Sequence, residues 1–400
     1  MTILAVYGAD YPWDVRVEKL LSGFLTHGYE IHLVCRNLAR RPSRERVDGF
    51  ICHRILGPRL GQLLHRALTL PAPANPLWRR VLARAIDATC PDLLLVRDLP
   101  LAPLVVAAGR RAGLPVVVDM AENHPAMWRN VIASDPLPLR SWLLKNPPLA
   151  RRMERRVACT ADAIFVVVEE MRMHLIAKGA PPERVHVVSN TPPRRVLERA
   201  ASDPGRGEGA LDLVYVGYIT RSRGLQQVLK AMALVQDNSV TIRFHIVGTG
   251  GYVTALKAQT RELGLESRVV FHGWVQPDKV PALMERCNAG IIPHLKTEHT
   301  NTTVPNKLFD YMAVGIPVIV SDADPLHRIV GEEKCGLSFR SGRPDDLAGL
   351  LRRLADPEVR RRFGVHGRTA VRERLHWERD FDVALRVVKR LAGRSATGGR

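Results

Sequence analysis

Two glycine-rich junctions in the second half of the chain carry residue types that can hold a diphosphate. Val216-Gly217-Tyr218 ends one apolar run, and Thr220-Arg221-Ser222-Arg223-Gly224 opens the helical stretch after it. A glycine turn followed by a helix N-terminus presents unpaired backbone N–H groups to an anion. Arg221 and Arg223 could add charge-assisted hydrogen bonds. Val247-Gly248-Thr249-Gly250-Gly251 is a second junction of this kind. Glycine in such turns also serves packing alone, so each junction by itself leaves both roles open. Neither is a dinucleotide fingerprint, because no G-x-G-x-x-G follows the first strand.

A third segment, Val304 to Val320, reads VPNKLFDYMAVGIPVIV. Pro305 and Asn306 suit a helix start, Lys307 to Ala313 a short helix, and Gly315-Ile316-Pro317 a tight turn into a strand. Asp310 falls one helical turn beyond Asn306 on the same side, where a carboxylate could accept hydrogen bonds from sugar or ribose hydroxyls. A solvated helix residue is the plainer reading of the same position. Asp322-Ala323-Asp324 spells D-x-D. We read it as two acids sharing a loop, since a hard cation needs more oxygen ligands gathered together. The six cysteines, Cys35, Cys52, Cys90, Cys159, Cys287 and Cys335, form no C-x-x-C pair and none has a histidine at ligand spacing. They read as reduced, mostly buried thiols, and no metal site is expected.

The elements that must position these residues alternate from the start. Ile3 to Tyr7 is an apolar run, followed by helical spacing from Val15 to His27 and a closing Gly28. Further strands are expected at Ile31 to Cys35, Leu93 to Val96, Val116 to Asp119, Ala163 to Val168 and Val185 to Ser189. Residues 191–210 break the rhythm with Pro, Gly, Ser and Ala and read as a linker. The alternation then restarts at Leu213 to Val216, Ile242 to Val247, Val269 to Phe271, Gly290 to Ile292 and Pro317 to Val320. Such alternation means parallel sheets covered by helices, with ligands at the carboxyl ends of the strands. The expected organisation is a domain over 1–190, a second over 211–375, a helix over 376–392 and a disordered tail over 393–400.

Four hundred residues are too many for one ordinary core, which agrees with two domains. The apolar share of 46% and charged share of 25% are those of a globular chain. The N-terminus reads as a buried strand, and no apolar run is long enough to span a bilayer, so a cytoplasmic chain is expected. The net charge of +19 suits phosphorylated ligands, an anionic membrane surface or nucleic acid. The last is set aside, because the sequence has no aromatic RNA-binding string, zinc-finger spacing or basic zipper.

The segment N-K-L-F-D-Y-M-A-V-G-I-P-V, Asn306 to Val318, resembles the most specific motif of the family 4 retaining GT-B glycosyltransferases. Tyr11-Pro12-Trp13-Asp14-Val15-Arg16-Val17, His186 to Asn190, Gly273-Trp274-Val275, Ala289 to Pro293 and the helix around Trp377 extend the likeness over nearly the whole chain. The resemblance implies an α/β fold of the GT-B type, two Rossmann-like domains facing each other across a cleft. It implies transfer of a sugar from a nucleotide-diphosphate sugar with retained configuration, usually without a metal or other cofactor. Gly217, Arg221, Arg223 and Gly248 would hold the donor phosphates, and Asp310 the ribose, with Asn306, Lys307 and Leu308 beside it. The family's two glutamates are separated by seven residues, and the first falls here on Thr302. Thr302 or Thr303 would have to contact the sugar. Glu122, Asn123 and His124, in a stretch where Ala121 replaces a familiar histidine, would touch the reacting sugar or acceptor. Glu122, His124 and Arg223 are the catalytic candidates, and Asp14, Arg16 and Asn123 the acceptor candidates.

The acceptor itself is a glycan, a lipid-linked molecule or a small molecule. Basic amphipathic helices at 59–70 and 77–86 suit docking on the inner face of a membrane, or they bury their apolar faces as core. Thr302 and Ala121 keep open a non-catalytic scaffold with a degenerate donor site. A sugar-nucleotide epimerase on the same fold is a further alternative.

Overall fold

The computed structural model describes residues 1–12, 14–55, 65, 67–133, 145–195, 210–235 and 241–397. They form two compact units. The first comprises Met1–Ser189 together with Asp380–Arg400, and the second Asn190–Arg379.

The first unit is built on an eight-stranded sheet. Its strands are β1 (Thr2–Asp10), β2 (Glu30–Arg36), β3 (Arg44–Val47), β4 (Phe50–Arg54), β5 (Leu93–Arg97), β6 (Val116–Asp119), β7 (Ala163–Val166) and β8 (Val185–Val187), in the order β3-β4-β2-β1-β5-β6-β7-β8. All neighbours are parallel except β3 and β4. The central strands are buried along nearly their whole length, as continuous apolar runs in a parallel sheet must be. Helix Val15–Thr26 starts where the Asp14 carboxylate accepts from the N–H groups of Arg16 and Val17, and it buries Val17, Leu20, Leu21 and Phe24.

The second unit is a six-stranded, all-parallel sheet. Its strands are β9 (Ala210–Val216), β10 (Thr241–Val247), β11 (Val269–Gly273), β12 (Ala289–Ile292), β13 (Val318–Ser321) and β14 (Gly336–Phe339), ordered β11-β10-β9-β12-β13-β14. The chain builds outward from β9 to β11, then returns to lay β12 on the other side of β9. That reversal is the point at which such sheets bind ligands.

One expectation needs correction, that of the tail, and two features add to the others. The antiparallel pair β3–β4 was not anticipated; it turns at Asp48 and Gly49, both with positive φ (52° and 86°). The final helix runs Trp377–Thr397, so residues 393–397 are helical rather than tail, and 398–400 lie outside the described residues. The opening of the expected linker is tied down, since the Trp377 N–H donates to the Pro192 carbonyl. Residues 196–209 lie outside the described residues.

Helix Pro76–Thr89 buries Trp78, Leu82 and Ala85 and leaves Arg79, Arg80 and Arg84 exposed, so its apolar face is core. Most of the other amphipathic stretch, 59–64 and 66, lies outside the described residues. In the final helix, Phe381 packs edge-on against Phe24 at 5.0 Å, and its ring occupies the place a side chain at Gly23 would need.

Candidate functional site

In the second unit the reversal point is held together by close backbone contacts. A Cβ at Gly224 (φ 72°) would lie 1.7 Å from the Pro293 carbonyl oxygen, and one at Gly248 (φ 135°) 2.0 Å from that of Gly217. The Leu295 N–H donates to the Ser222 carbonyl, and the Gln227 amide donates to the Pro293 carbonyl. The loops leaving β9 and β12 are thereby stitched together, which brings His294 to 3.4 Å from the Arg223 guanidinium. Gly224→Ala is expected to cost more than about 1 kcal/mol of stability, because a backbone oxygen cannot yield like a flexible side chain. Gly251→Ala, where a Cβ would meet nothing within 4 Å, is the matched control. Equal denaturant midpoints for the two variants would contradict the stitching.

Helix Lys307–Ala313 is fixed to the same strands by Tyr311. Its ring sits where a Cβ at Gly290 would be, and its hydroxyl accepts from the Val216 N–H at 3.0 Å. The first residue of the helix, Lys307, lays its ammonium 4.0 Å above the Tyr215 ring. That ammonium is also 2.8 Å from the Cβ position of Gly217, so a side chain there would have to displace it. Burial, then the nearby Arg223, push the Lys307 pKa well below the ordinary lysine value, with Asp310 opposing them. Burial, then Arg223 and Lys307, likewise hold the His294 pKa well down. Two cations are therefore crowded at a strand switch point, and an anionic ligand would relieve their repulsion.

The first unit gathers a second cluster at the carboxyl ends of β1, β5 and β6. The Arg16 guanidinium, on a residue only 5% exposed, donates to both oxygens of Asp119, the shortest contact being 2.6 Å, and to the Val188 and Ser189 carbonyls. Arg97 pairs with Asp98 at 2.7 Å and lies 3.6 Å from Asp119. Burial alone would raise the Asp119 pKa, but Arg16 and Arg97 outweigh it and hold the carboxyl below its ordinary value. Asp98 is the reverse case: burial raises its pKa despite Arg97 and His124. Asp98 adopts a positive φ of 67°. Tyr7 donates to Asp14 at 3.1 Å. Asn123 is fully buried; its carbonyl oxygen accepts from the Ala126 N–H, while its Nδ2 meets no partner among the described residues. His124 packs edge-on to Trp128, its Nδ1 3.2 Å from the Glu122 carbonyl oxygen.

Comparison with known proteins places this geometry. Residues 14–191 match the family model "Glycosyl transferase 4-like domain" and residues 198–370 match "Glycosyl transferases group 1". The chain has the GT-B fold, and each of its halves matches a glycosyltransferase domain model. HepE from Anabaena, solved in complex with UDP, shares the fold of this GT-B chain with a TM-score of 0.70 at 16% identity, over 97% of this chain and 100% of that one. Among sequence relatives, a 2-deoxystreptamine glucosyltransferase of Streptomyces kanamyceticus is 25% identical over 62% of this chain and 63% of its own length. A putative colanic acid biosynthesis glycosyltransferase of Salmonella typhimurium is 25% identical over 49% of this chain and 47% of its own length. The match thus spans from about half to under two thirds of these relatives.

Within this GT-B chain the sequence candidates fall into distinct places. Gly217, Arg223, Lys307 and Asp310 converge at the β9–β12 reversal. Gly248 packs against the backbone of Gly217, and Arg221 is exposed. Leu308 is fully buried, which leaves its backbone for a ligand; Asn306 is exposed. Thr302 donates its hydroxyl to the Glu298 and His299 carbonyls, within its own turn, and Thr303 follows that turn. Asp14 caps a helix, and Arg16 is a buried strut for Asp119. Glu122, Asn123 and His124 follow β6 beside Asp98. Asp322 and Asp324 share Lys296, at 3.9 and 2.7 Å. Among the described residues no cluster of histidine, cysteine or acidic side chains could hold a metal ion. Sequence reasoning missed Tyr7, Arg97, Asp98, Tyr215 and His294. A signal existed for two of the regions: Arg97-Asp98 and His294 each stand just past an apolar run, at a strand's carboxyl end.

Proposed function

We propose that this chain is a retaining, metal-independent hexosyltransferase that takes its sugar from a nucleotide-diphosphate donor. The single observation that carries this reading is the crowded pair Arg223 and Lys307 at the strand reversal, with Lys307 pushed down by burial and by its cationic neighbour. Departure of a nucleoside diphosphate builds negative charge on the β-phosphate, and fixed cations in a partly dry site stabilise it without solvent rearrangement. Asp310 would hold the ribose hydroxyls. Tyr218 and Trp274, 63% and 67% exposed on the loops leaving β9 and β11, offer flat faces for the base. Retention is supported by the resemblance of Asn306 to Val318 to the family motif. Glu122, Asn123 and His124 are the proposed contacts to the sugar or acceptor, with Asp98 as a further titratable group beside them.

The acceptor proposed is a lipid-linked or cell-envelope glycan, which the colanic acid relative supports. The 2-deoxystreptamine glucosyltransferase favours a small-molecule acceptor as the second choice. Membrane contact is proposed through exposed basic helix faces; among the described residues no helix is long and apolar enough to cross a membrane.

The deciding experiment is a calorimetric titration with UDP-, GDP-, ADP- and dTDP-sugars, each with EDTA and with magnesium. One nucleotide class should bind equally well in both. Donor affinity with no turnover on any acceptor would favour the scaffold reading, and no binding at all would remove the donor site. The same titration tests the charge argument. A diphosphate raises the depressed Lys307 pKa, so binding should take up protons and weaken as pH rises through the bound-state value. Identical apparent heats in buffers of different ionisation enthalpy would show that Lys307 does not meet the phosphates.

A further inference from the structure

In the second unit the loop leaving β12 runs along the turn that carries Arg223, residue against residue. The Pro293 carbonyl stands where a side chain at Gly224 would begin, the His294 ring lies against the Arg223 guanidinium, and the Leu295 N–H donates to the Ser222 carbonyl at 2.9 Å. Gln227, in the helix that follows the turn, clamps this pairing. Its amide donates to the Pro293 carbonyl at 3.2 Å, and its side-chain oxygen accepts from the Gly342 N–H. His294 is only 3% exposed, so its ring is held against Arg223 by backbone and packing together. The Arg223 Nη1 stands 3.4 Å from both ring nitrogens. Such a contact suits an uncharged ring, because an imidazolium there would set cation against cation. The titratable groups acting on the ring are Arg223, Lys307 and His299, none of them an acid, and with burial they keep the proton off.

A neutral imidazole does what the other residue types cannot do at this place. A carboxylate would hold the guanidinium but cancel its charge, as Asp119 does for Arg16. An aliphatic side chain would leave an N–H of Arg223 facing a buried surface with no acceptor. The imidazole steers the guanidinium and leaves its charge whole, and among the described residues no carboxylate pairs with Arg223. We propose that His294 is a positioning residue of the donor site: it backs the Arg223 guanidinium and aims its charge at the leaving diphosphate without itself touching the substrate. The inference rests on the donor reading above and names the group that stands behind its cation.

The test is a double-mutant cycle on the full chain, read by calorimetric titration with UDP, GDP, ADP and dTDP, taking whichever binds the wild type most tightly. His294→Ala should weaken that binding by about tenfold, the usual effect of losing a neutral partner of a charged donor. His294→Asn, whose carbonyl oxygen can accept from the guanidinium, should recover most of the loss. With Arg223→Ala already in place, His294→Ala should weaken binding by less than about twofold, because there is no guanidinium left to aim. Should His294→Ala fail to fold, His294→Leu, of similar volume and without an acceptor, takes its place in the cycle with the same expected results. Equal losses with and without Arg223, or no recovery in His294→Asn, would show that His294 only packs, and would overturn the proposal. Wild-type affinity in His294→Ala would overturn it while leaving the donor site standing. Wild-type affinity in Arg223→Ala, or no binding of any of the four nucleotides by the wild type, would overturn the donor reading and this inference with it.

Discussion

Lys307→Met is expected to lower the rate of sugar transfer by about a hundred- to a thousandfold, the usual consequence of removing one fixed group that stabilises developing charge. Arg223→Ala should fall in the same range. Neither change should unfold the protein. Lys307 is half-buried over the Tyr215 ring with Arg223 near enough to disfavour its charged form, so the neutral, similarly sized methionine removes a repulsion from the empty site. A melting temperature equal to or above that of the wild type, together with depressed kcat, is the expected pair of observations. If the loss appeared only in KM, the cation would be contributing to donor binding alone. Wild-type turnover in a folded variant of either residue would remove it from the reaction.

The second large effect concerns stability. Arg16→Ala strips a buried carboxylate of its principal partner, and loss of one member of such a pair costs about 3–5 kcal/mol. Arg97, 3.6 Å from Asp119, should keep the loss towards the lower end. Arg16→Met combined with Asp119→Leu removes both charges and should come much closer to the wild type than the single change. The pH dependence has a definite sign. The Asp119 carboxyl is held below its ordinary value, so its contribution is complete above the ordinary carboxylate range and is lost as pH falls through the lowered value. Urea midpoints of wild type and Asp119→Asn should therefore converge in acid. A constant gap across pH would mean that the ion pair is not what holds β6 to the first helix.

Much of this architecture was legible in the sequence, and the failures share a cause. Strands such as Val116 to Asp119 and Ile242 to Val247 announce themselves as apolar runs, and Asn306 to Pro317 shows both its helix and its turn through local spacing. Gly217 could be nominated from its glycine turn, whereas Lys307 and Asp310 were nominated through the resemblance of Asn306 to Val318 to the family motif. Arg16 was nominated too, but its partner stands 103 residues away, and no spacing reveals that a guanidinium is already committed. His294 and Arg223 meet because the Gly224 turn touches the Pro293 backbone, a contact between loops 69 residues apart as the Gly224 to Pro293 approach shows. The β3–β4 hairpin did have a local sign, the Asp48-Gly49 turn, which a reading centred on parallel alternation passed over.

The final helix carries a consequence for synthesis. The first unit is not a contiguous stretch: its core receives Phe381, against Gly23 and Phe24, from a segment made after the entire second unit. On the ribosome the amino-terminal half must wait with that apolar surface uncovered while the carboxyl-terminal half, contiguous in the chain, can already close. The part translated first is therefore the last to be finished, and a chain released near residue 380 would have its second unit complete and its first unit as the one that chaperones and proteases see.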